Sequence, residues 1–115
     1  VAGAGMMEAG GVERLQQLAE IMGAAVGATR PVVDLGWLPQ SSLIGASGKS
    51  ISPKLLITVG TSGANHYVSG ITKAQKVLAI NKDPNAAIFN VCDLGMVADL
   101  TVVLPLLQKE LTEQK

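Results

Sequence analysis

The run Leu55-Leu56-Ile57-Thr58-Val59 leading into Gly60-Thr61-Ser62-Gly63-Ala64 constrains the fold more than any other stretch of this chain. Four apolar residues, broken only by Thr58, read as a buried strand that delivers the backbone into a glycine-rich turn. A short helix is expected next, from about Asn65 to Gly70. Gly60 and Gly63 let the backbone turn sharply and approach a bound group closely. The free N–H groups at the start of the helix, with Ser62 beside them, favour an anion such as a pyrophosphate. From these residues alone, a purely structural strand–turn–helix junction reads equally well.

The 115 residues amount to one domain, with 48% hydrophobic and only 3% aromatic residues. A core of Val, Leu, Ile and Ala suits strands buried on both faces, as in a parallel α/β sheet. The net charge is zero, and no basic cluster or aromatic platform points to nucleic acid. The longest apolar run is too short for a membrane span, so no membrane insertion is expected. The single cysteine, Cys92, excludes an internal disulfide and suits a reducing compartment. One cysteine and one histidine make a zinc site within this chain implausible. The chain opens on Val1-Ala2-Gly3-Ala4-Gly5 without an initiator Met or a signal-peptide pattern, which reads as a piece of a longer protein starting at the end of a strand.

Residues 1–11 are rich in Gly and Ala and read as a loop lying against a ligand or another element. From Val12 to Val26, the apolar positions Val12, Leu15, Leu18, Ala19, Met22 and Val26 recur at helical spacing, with Gly23 and Gly27 at its end. Ala25 to Asp34 reads as short and β-prone, with Pro31 against a central ladder position. Leu35 to Ser52 has no clear period, and so long an irregular segment in a small domain is more often functional than idle. Lys76–Asn81 reads as a strand, Asp83-Pro84-Asn85 as a turn and Ala87–Cys92 as another strand, ending at Asp93 and Gly95. Asp99 opens a final helix through Leu111, with Pro105 in its first turn or kinking it, and Glu110–Lys115 forms a polar tail. Strands alternating with helices over short loops predict a three-layer α/β/α sandwich with a mainly parallel sheet, a Rossmann-like fold. Thr29-Arg30, Thr61-Ser62, Asn81 and Asp93 then all fall at carboxyl ends of strands, where such sheets bind ligands.

Several motifs in register resemble one family. Gly27-Ala28-Thr29-Arg30-Pro31-Val32-Val33-Asp34-Leu35-Gly36-Trp37-Leu38-Pro39 resembles the flavin-domain signature of the electron transfer flavoprotein α subunit. Ile44-Gly45-Ala46-Ser47-Gly48-Lys49 and Pro53 look like its next loop. Ser62-Gly63-Ala64, Ala79-Ile80-Asn81-Lys82-Asp83-Pro84, Ile88-Phe89 and Ala98-Asp99-Leu100 follow in the family's order. The resemblance covers nearly the whole chain. It implies that residues 1–115 are the carboxyl-terminal FAD-binding domain of a longer α subunit whose amino-terminal domain is not in this sequence. It further implies a β subunit partner and an electron carrier between flavoprotein dehydrogenases, such as acyl-CoA dehydrogenases, and a downstream acceptor. Such a carrier is a redox protein rather than an enzyme with its own substrate. It is expected in a bacterial or archaeal cytoplasm, or in the mitochondrial matrix of a eukaryote.

Carried over residue by residue, the resemblance sets Arg30 against the isoalloxazine, where a guanidinium stabilises negative charge on the reduced ring. An Arg30–Asp34 surface ion pair is the alternative. Ser47 stands for a threonine whose hydroxyl reaches flavin N5, although a plain loop serine fits too; Ile44, Gly45 and Ala46 share its loop. Thr29, Ser62 and Asn81 match phosphate- or ribose-side contacts, and Gly63 and Ala64 complete the turn beside Ser62. Asp99 and Leu100 match adenosine-end contacts, and Asp99 reads equally well as the N-cap of the last helix.

The departures from the family fall around the flavin. Ala4 takes the place of an arginine, and Ala46 that of a glutamine. Asn65-His66-Tyr67 replaces an apolar residue, Gln and His, so Tyr67 sits where the flavin-contacting histidine would be and its hydroxyl is expected to donate to flavin O2. His66 reads as a site residue or as a simple surface residue. A second reading is a nucleotide-binding or structural module of the same fold that has lost FAD. A third, an NAD-dependent transferase, lacks a spacing of carboxylates that marks a general base. Cys92 is expected to end a buried strand and pack as a small hydrophobe.

Overall fold

The computed structural model describes residues 1–8 and 12–113. Two parallel strands form its centre, β1 (Leu55–Val59) and β2 (Lys76–Asn81), paired from Leu55 with Lys76 to Val59 with Ile80. Both stand at the bounds read from the sequence. Their side chains alternate between two cores. Leu56, Val77 and Ala79 pack with Ile44, Tyr67, Ile71 and Ile88 on one face. Val59 and Ile80 pack with Ala2, Leu15, Leu18 and Leu104 on the other. A sheet covered on both faces explains why these strands read as near-continuous apolar runs.

The next strand differs from expectation. Ala87–Asn90 is a 3₁₀ turn, and β3 (Leu94–Val97) follows it, parallel to β2. Ile88 is fully buried, and its N–H goes to the Ser62 carbonyl at 3.0 Å rather than to a ladder. Pairing begins only at Asp93, whose N–H donates to the Val77 carbonyl at 2.9 Å while its carboxylate accepts the Val77 N–H at 2.7 Å. Burial of Ile88 overrides the β-propensity of its neighbours. Cys92 therefore lies in the turn before β3, half-buried, its thiol 3.4 Å from the Phe89 carbonyl.

On the other side of β1 the sheet continues through single residues. Ala2 bridges Val59 and Ala28, and Ala28 bridges Leu43, all in parallel. The supporting bonds are Val59 N–H to the Val1 carbonyl, Thr29 N–H to Ala2 and Ile44 N–H to Ala28, at 2.9, 3.0 and 3.0 Å. Six chain segments thus lie side by side in the order Leu43, Ala28, Ala2, β1, β2, β3. Counted along the sequence this is 3-2-1-4-5-6, the doubly wound order, whose direction of winding reverses between Ala2 and β1.

Among the described residues, five helices cover the sheet: α1 (Gly5–Glu8), α2 (Glu13–Met22), α3 (Arg30–Asp34), α4 (Asn65–Val68) and α5 (Leu100–Glu113). Part of the expected opening loop is thus the single turn α1, and residues 9–11 lie outside the described residues. α2 stops four residues before Val26, because Gly23 turns left-handed (φ 68°) and its N–H and that of Ala24 close back on Glu20 and Ala19. α3 replaces the second half of the β-prone reading of Ala25–Asp34. Thr29 is extended, and Pro31 has the fixed φ that suits a first helical turn, so Val32 turns inward to full burial. α5 carries Pro105 beyond its first turn and continues into the expected tail as far as Glu113, with residues 114–115 outside the described residues. α2 and α5 pack on one face, joined at the surface by Arg14 and Gln17 to Gln108. α4 and the turn at Ile88 cover the other. The layers are those of a three-layer α/β/α sandwich. Among the described residues, no helix is long and apolar enough to cross a membrane.

Candidate functional site

At the reversal point, two glycine-rich turns leave the sheet side by side. Gly3 N–H donates to the Val59 carbonyl at 2.9 Å and Gly5 N–H to the Gly60 carbonyl at 3.0 Å. A Cβ on Gly3 would lie 2.6 Å from the Gly60 oxygen, so the backbones touch there. Gly60, at φ 70°, then carries the chain away from β1 and opens a crevice above the strand ends.

The crevice has two halves. One is a cavity of about 470 Å³ that gathers Thr29, Arg30, Ile44, Gly45, Ala46, Ser47, Ser62, Gly63, Ala64, His66 and Tyr67. The other, about 180 Å³, gathers Asn81, Asp99 and Leu100 with Gly5, Gly60, Lys82 and Thr101. Ala4 and Thr61 border the first half and their chain neighbours Gly5 and Gly60 the second, so the two flank the touching turns. Of the residues expected at the site, Asn65 lies on neither wall. A further cavity of about 530 Å³ lies at the amino ends of the strands, between Leu55–Ile57 and Ala24–Gly27. Its walls are mostly aliphatic.

Each wall has a local cause. Arg30 opens α3 at the end of the Ala28 segment, exposed, with its guanidinium 3.8 Å from the Asp34 carboxylate. An exposed pair of this kind contributes about 0–1 kcal/mol, so it holds Arg30 only loosely. The loop Ile44–Lys49 folds back on itself through Gly48 N–H to the Gly45 carbonyl and Gly45 N–H to the Lys49 carbonyl. Ala46 N–H then donates to the His66 carbonyl at 2.7 Å, which docks the loop on α4. α4 is a single turn, so the anion-binding helix start expected after Ser62 is reduced to a short N-terminus with little dipole.

Tyr67 departs from expectation. Its side chain is buried, and its hydroxyl donates inward to Thr58 Oγ1 at 3.0 Å rather than toward a ligand. Burial pushes its pKa up to about 12, the bond to Thr58 opposing that shift. Thr58 Oγ1 lies 2.6 Å from Thr61 Oγ1, and both threonines are buried. Asn81 reaches across from β2, its Nδ2 donating to the Thr61 carbonyl at 2.8 Å and its Oδ1 accepting the Asp83 N–H at 2.9 Å. Asp99 caps α5 as expected: its carboxylate accepts the Thr101 hydroxyl at 2.7 Å and N–H at 2.9 Å, which holds its pKa below the usual carboxylate range. That same cap borders the smaller cavity. Sequence reasoning gave Thr58 no part in the site, and an isolated threonine inside an apolar strand is the one trace it leaves in the sequence.

The donor set is neutral apart from Arg30 and Lys82: hydroxyls, an amide and backbone N–H groups ranged along a crevice that bends over two touching turns. Such a crevice fits an elongated dinucleotide, its bridge over the glycines and one ring system in each half. Among the described residues, no cluster of His, Cys, Asp and Glu could hold a metal ion.

A family model described as the electron transfer flavoprotein FAD-binding domain matches residues 1–72. The mitochondrial electron transfer flavoprotein subunit alpha of Oryza sativa subsp. indica is 44% identical over 113 residues, 98% of this chain and 32% of that protein. The subunit alpha of Megasphaera elsdenii is 44% identical over 101 residues, 88% of this chain and 30% of its own length. That of Bacillus subtilis (strain 168) is 44% identical over 108 residues, 94% and 33% respectively. The chain therefore spans about a third of the length of the curated relatives it matches.

Proposed function

The chain belongs to the electron transfer flavoprotein FAD-binding domain family, and from that premise we propose that it holds FAD in the bent crevice and serves as the cofactor domain of an electron carrier. The observation that carries this reading is the placing of two unequal cavities on either side of the touching turns at Gly3–Gly5 and Gly60–Thr61, at the reversal point of a 3-2-1-4-5-6 sheet. Bound there, FAD supplies one- and two-electron redox chemistry. The larger half takes the flavin ring and the smaller half the adenosine.

The chain's own residues bind, orient and tune. Arg30 sets a fixed positive charge at the ring's edge and so favours the reduced, negatively charged form. Ser47, on the loop docked to the His66 carbonyl, offers a hydroxyl to ring nitrogen. Ser62 and the N–H groups after it face the pyrophosphate. Asn81, Lys82 and the Asp99–Thr101 cap border the adenosine. The buried Tyr67 ring and Ile44 close the floor of the larger half against water.

Residues 1–115 act in this reading as one domain of a longer α subunit, paired with a β subunit. The complex takes electrons from flavoprotein dehydrogenases such as acyl-CoA dehydrogenases and passes them to a downstream acceptor. The names of the relatives, mitochondrial in rice and bacterial in Bacillus subtilis, support the same role in matrix or cytoplasm. The competing reading, a module of this fold without FAD, draws on Ala4, which borders the larger half with a methyl group instead of a cation.

A visible spectrum of the full-length protein co-expressed with its β partner separates the two. Flavin bands with releasable FAD are the expected result. A colourless complex that takes up no added FAD would overturn the carrier reading.

A further inference from the structure

A set of hydrogen bonds, joined through the backbone at His66–Tyr67 and within Thr61, connects residues of both halves of the crevice. It starts at the loop of Ser47, where Ala46 N–H donates to the His66 carbonyl at 2.7 Å, and the peptide bond leads from there to the next residue of α4, Tyr67. From the Tyr67 hydroxyl it goes to Thr58 Oγ1 at 3.0 Å and on to Thr61 Oγ1 at 2.6 Å. The Thr61 carbonyl then accepts Asn81 Nδ2 at 2.8 Å, and Asn81 Oδ1 takes the Asp83 N–H. Ser47 and Asn81, at opposite ends of this line, belong to opposite halves of the crevice.

We propose that Thr58 is a positioning residue of the cofactor site, and that the hydroxyl of Tyr67, whose ring borders the larger half, acts on bound FAD through Thr58 rather than by bonding to it. This rests on the FAD reading above. Thr58 is fully buried and borders neither cavity, so it reaches a ligand only through its neighbours. Its hydroxyl joins Tyr67 of α4 to Thr61 of the turn after β1 from beneath, beside the backbone bonds of Tyr67 and Val68 to Ala64, and both segments carry contact residues. Without its hydroxyl, the Tyr67 hydroxyl and Thr61 Oγ1 lose their shared partner in a site closed to water, and each buried polar group left unmatched costs about 1–3 kcal/mol. The cheapest relief is for α4, with its docked loop, to move away from the turn. The relative placement of Ser47 and Ser62 then drifts, and a rigid ring system is sensitive to that spacing.

The test compares Thr58→Val, Thr58→Ser and Tyr67→Phe in the full-length complex, reading FAD affinity by flavin fluorescence and ring placement by the visible circular dichroism of bound flavin. Thr58→Val and Tyr67→Phe are each expected to weaken FAD about five- to tenfold and to alter the visible dichroism in the same way. Their double variant should be no worse than either single one, because both cut one line. Thr58→Ser should match the wild type. Should Thr58→Val fail to fold, the triple variant Thr58→Val, Thr61→Val, Tyr67→Phe leaves no polar group unmatched and is expected to fold with FAD still weakened. Wild-type affinity and dichroism in Thr58→Val or in the triple variant would overturn the proposal. So would a defect confined to Tyr67→Phe, which would mark a direct contact. A wild-type complex that binds no FAD would instead overturn the reading on which the proposal rests.

Discussion

The N–H of Ala46 donates to the carbonyl of His66 at 2.7 Å, and through that bond the Ser47 loop rides on α4. The contact depends on Gly45, whose φ of 133° suits glycine and whose Cβ, if present, would lie 2.3 Å from the His66 oxygen. Gly45→Ala is therefore expected to destabilise the domain by about 2–4 kcal/mol and to weaken FAD together with it. Thermal melts of the FAD-free and FAD-loaded forms check this, and an unchanged melting temperature would contradict the loop geometry.

Arg30 makes a different prediction, because its ion pair with Asp34 is long and exposed. Asp34→Ala and Arg30→Ala should each change stability by less than about 1 kcal/mol. Arg30→Ala alone should lower the flavin midpoint potential, since the reduced anion loses its nearby cation. A potentiometric titration that finds the same potential in wild type and Arg30→Ala would remove Arg30 from the ring's edge.

Tyr67 is the single tyrosine of the chain, so its ionisation can be followed by absorbance at about 295 nm without interference from another phenol. The folded protein should titrate near 12, against about 10 in the unfolded chain. The raised value means that the unfolded chain releases this proton first. The phenol's contribution to stability is whole below about pH 10 and is lost as pH rises toward 12. Tyr67→Phe should remove that alkaline loss, as denaturant melts between these two pH values would show.

Asp99 carries the opposite dependence. Its bonds to Thr101 favour the carboxylate, so its stabilising effect is present above the ordinary carboxylate pKa and fades as pH falls through the lowered one. Asp99→Ala is expected to lower the melting temperature at neutral pH and to lose part of the wild type's acid sensitivity, whereas Asp99→Asn keeps the cap. The same Asp99→Ala protein should bind AMP more weakly, since the cap borders the smaller cavity.

How much of this was legible in the sequence depends on how many residues each element spans. β1 and β2 run five and six residues with apolar faces on both sides, and their bounds could be read directly. The other half of the sheet is held by Ala2, Ala28 and Leu43, one residue each, and a bridge of one residue leaves no periodic pattern. The strand after β2 was misplaced because Ile88 and its neighbours look like a strand while serving as a buried plug. Val32 and Val33 similarly hid the helix that Pro31 starts. At the site, the residues picked out by type and spacing, Asn65 apart, border the two cavities. The direction of the Tyr67 hydroxyl was not legible, because Thr58, assigned no role, and Thr61, read only as a strand-end position for a ligand, decide it.

The unequal halves of the sheet have a consequence for local unfolding. Five paired residues tie β1 to β2, whereas a single bridge ties Ala2 to β1 and another ties it to Ala28. Amide protons of β1 and β2 should exchange with solvent only when the whole domain opens, while those of Gly3, Thr29 and Ile44 exchange through smaller, cheaper openings. The crevice lies on the border between these two regimes. A ligand spanning it ties the compliant half to the stiff one, so the largest gain in protection on binding should fall on Ala2 and Ala28, beneath the ligand rather than against it.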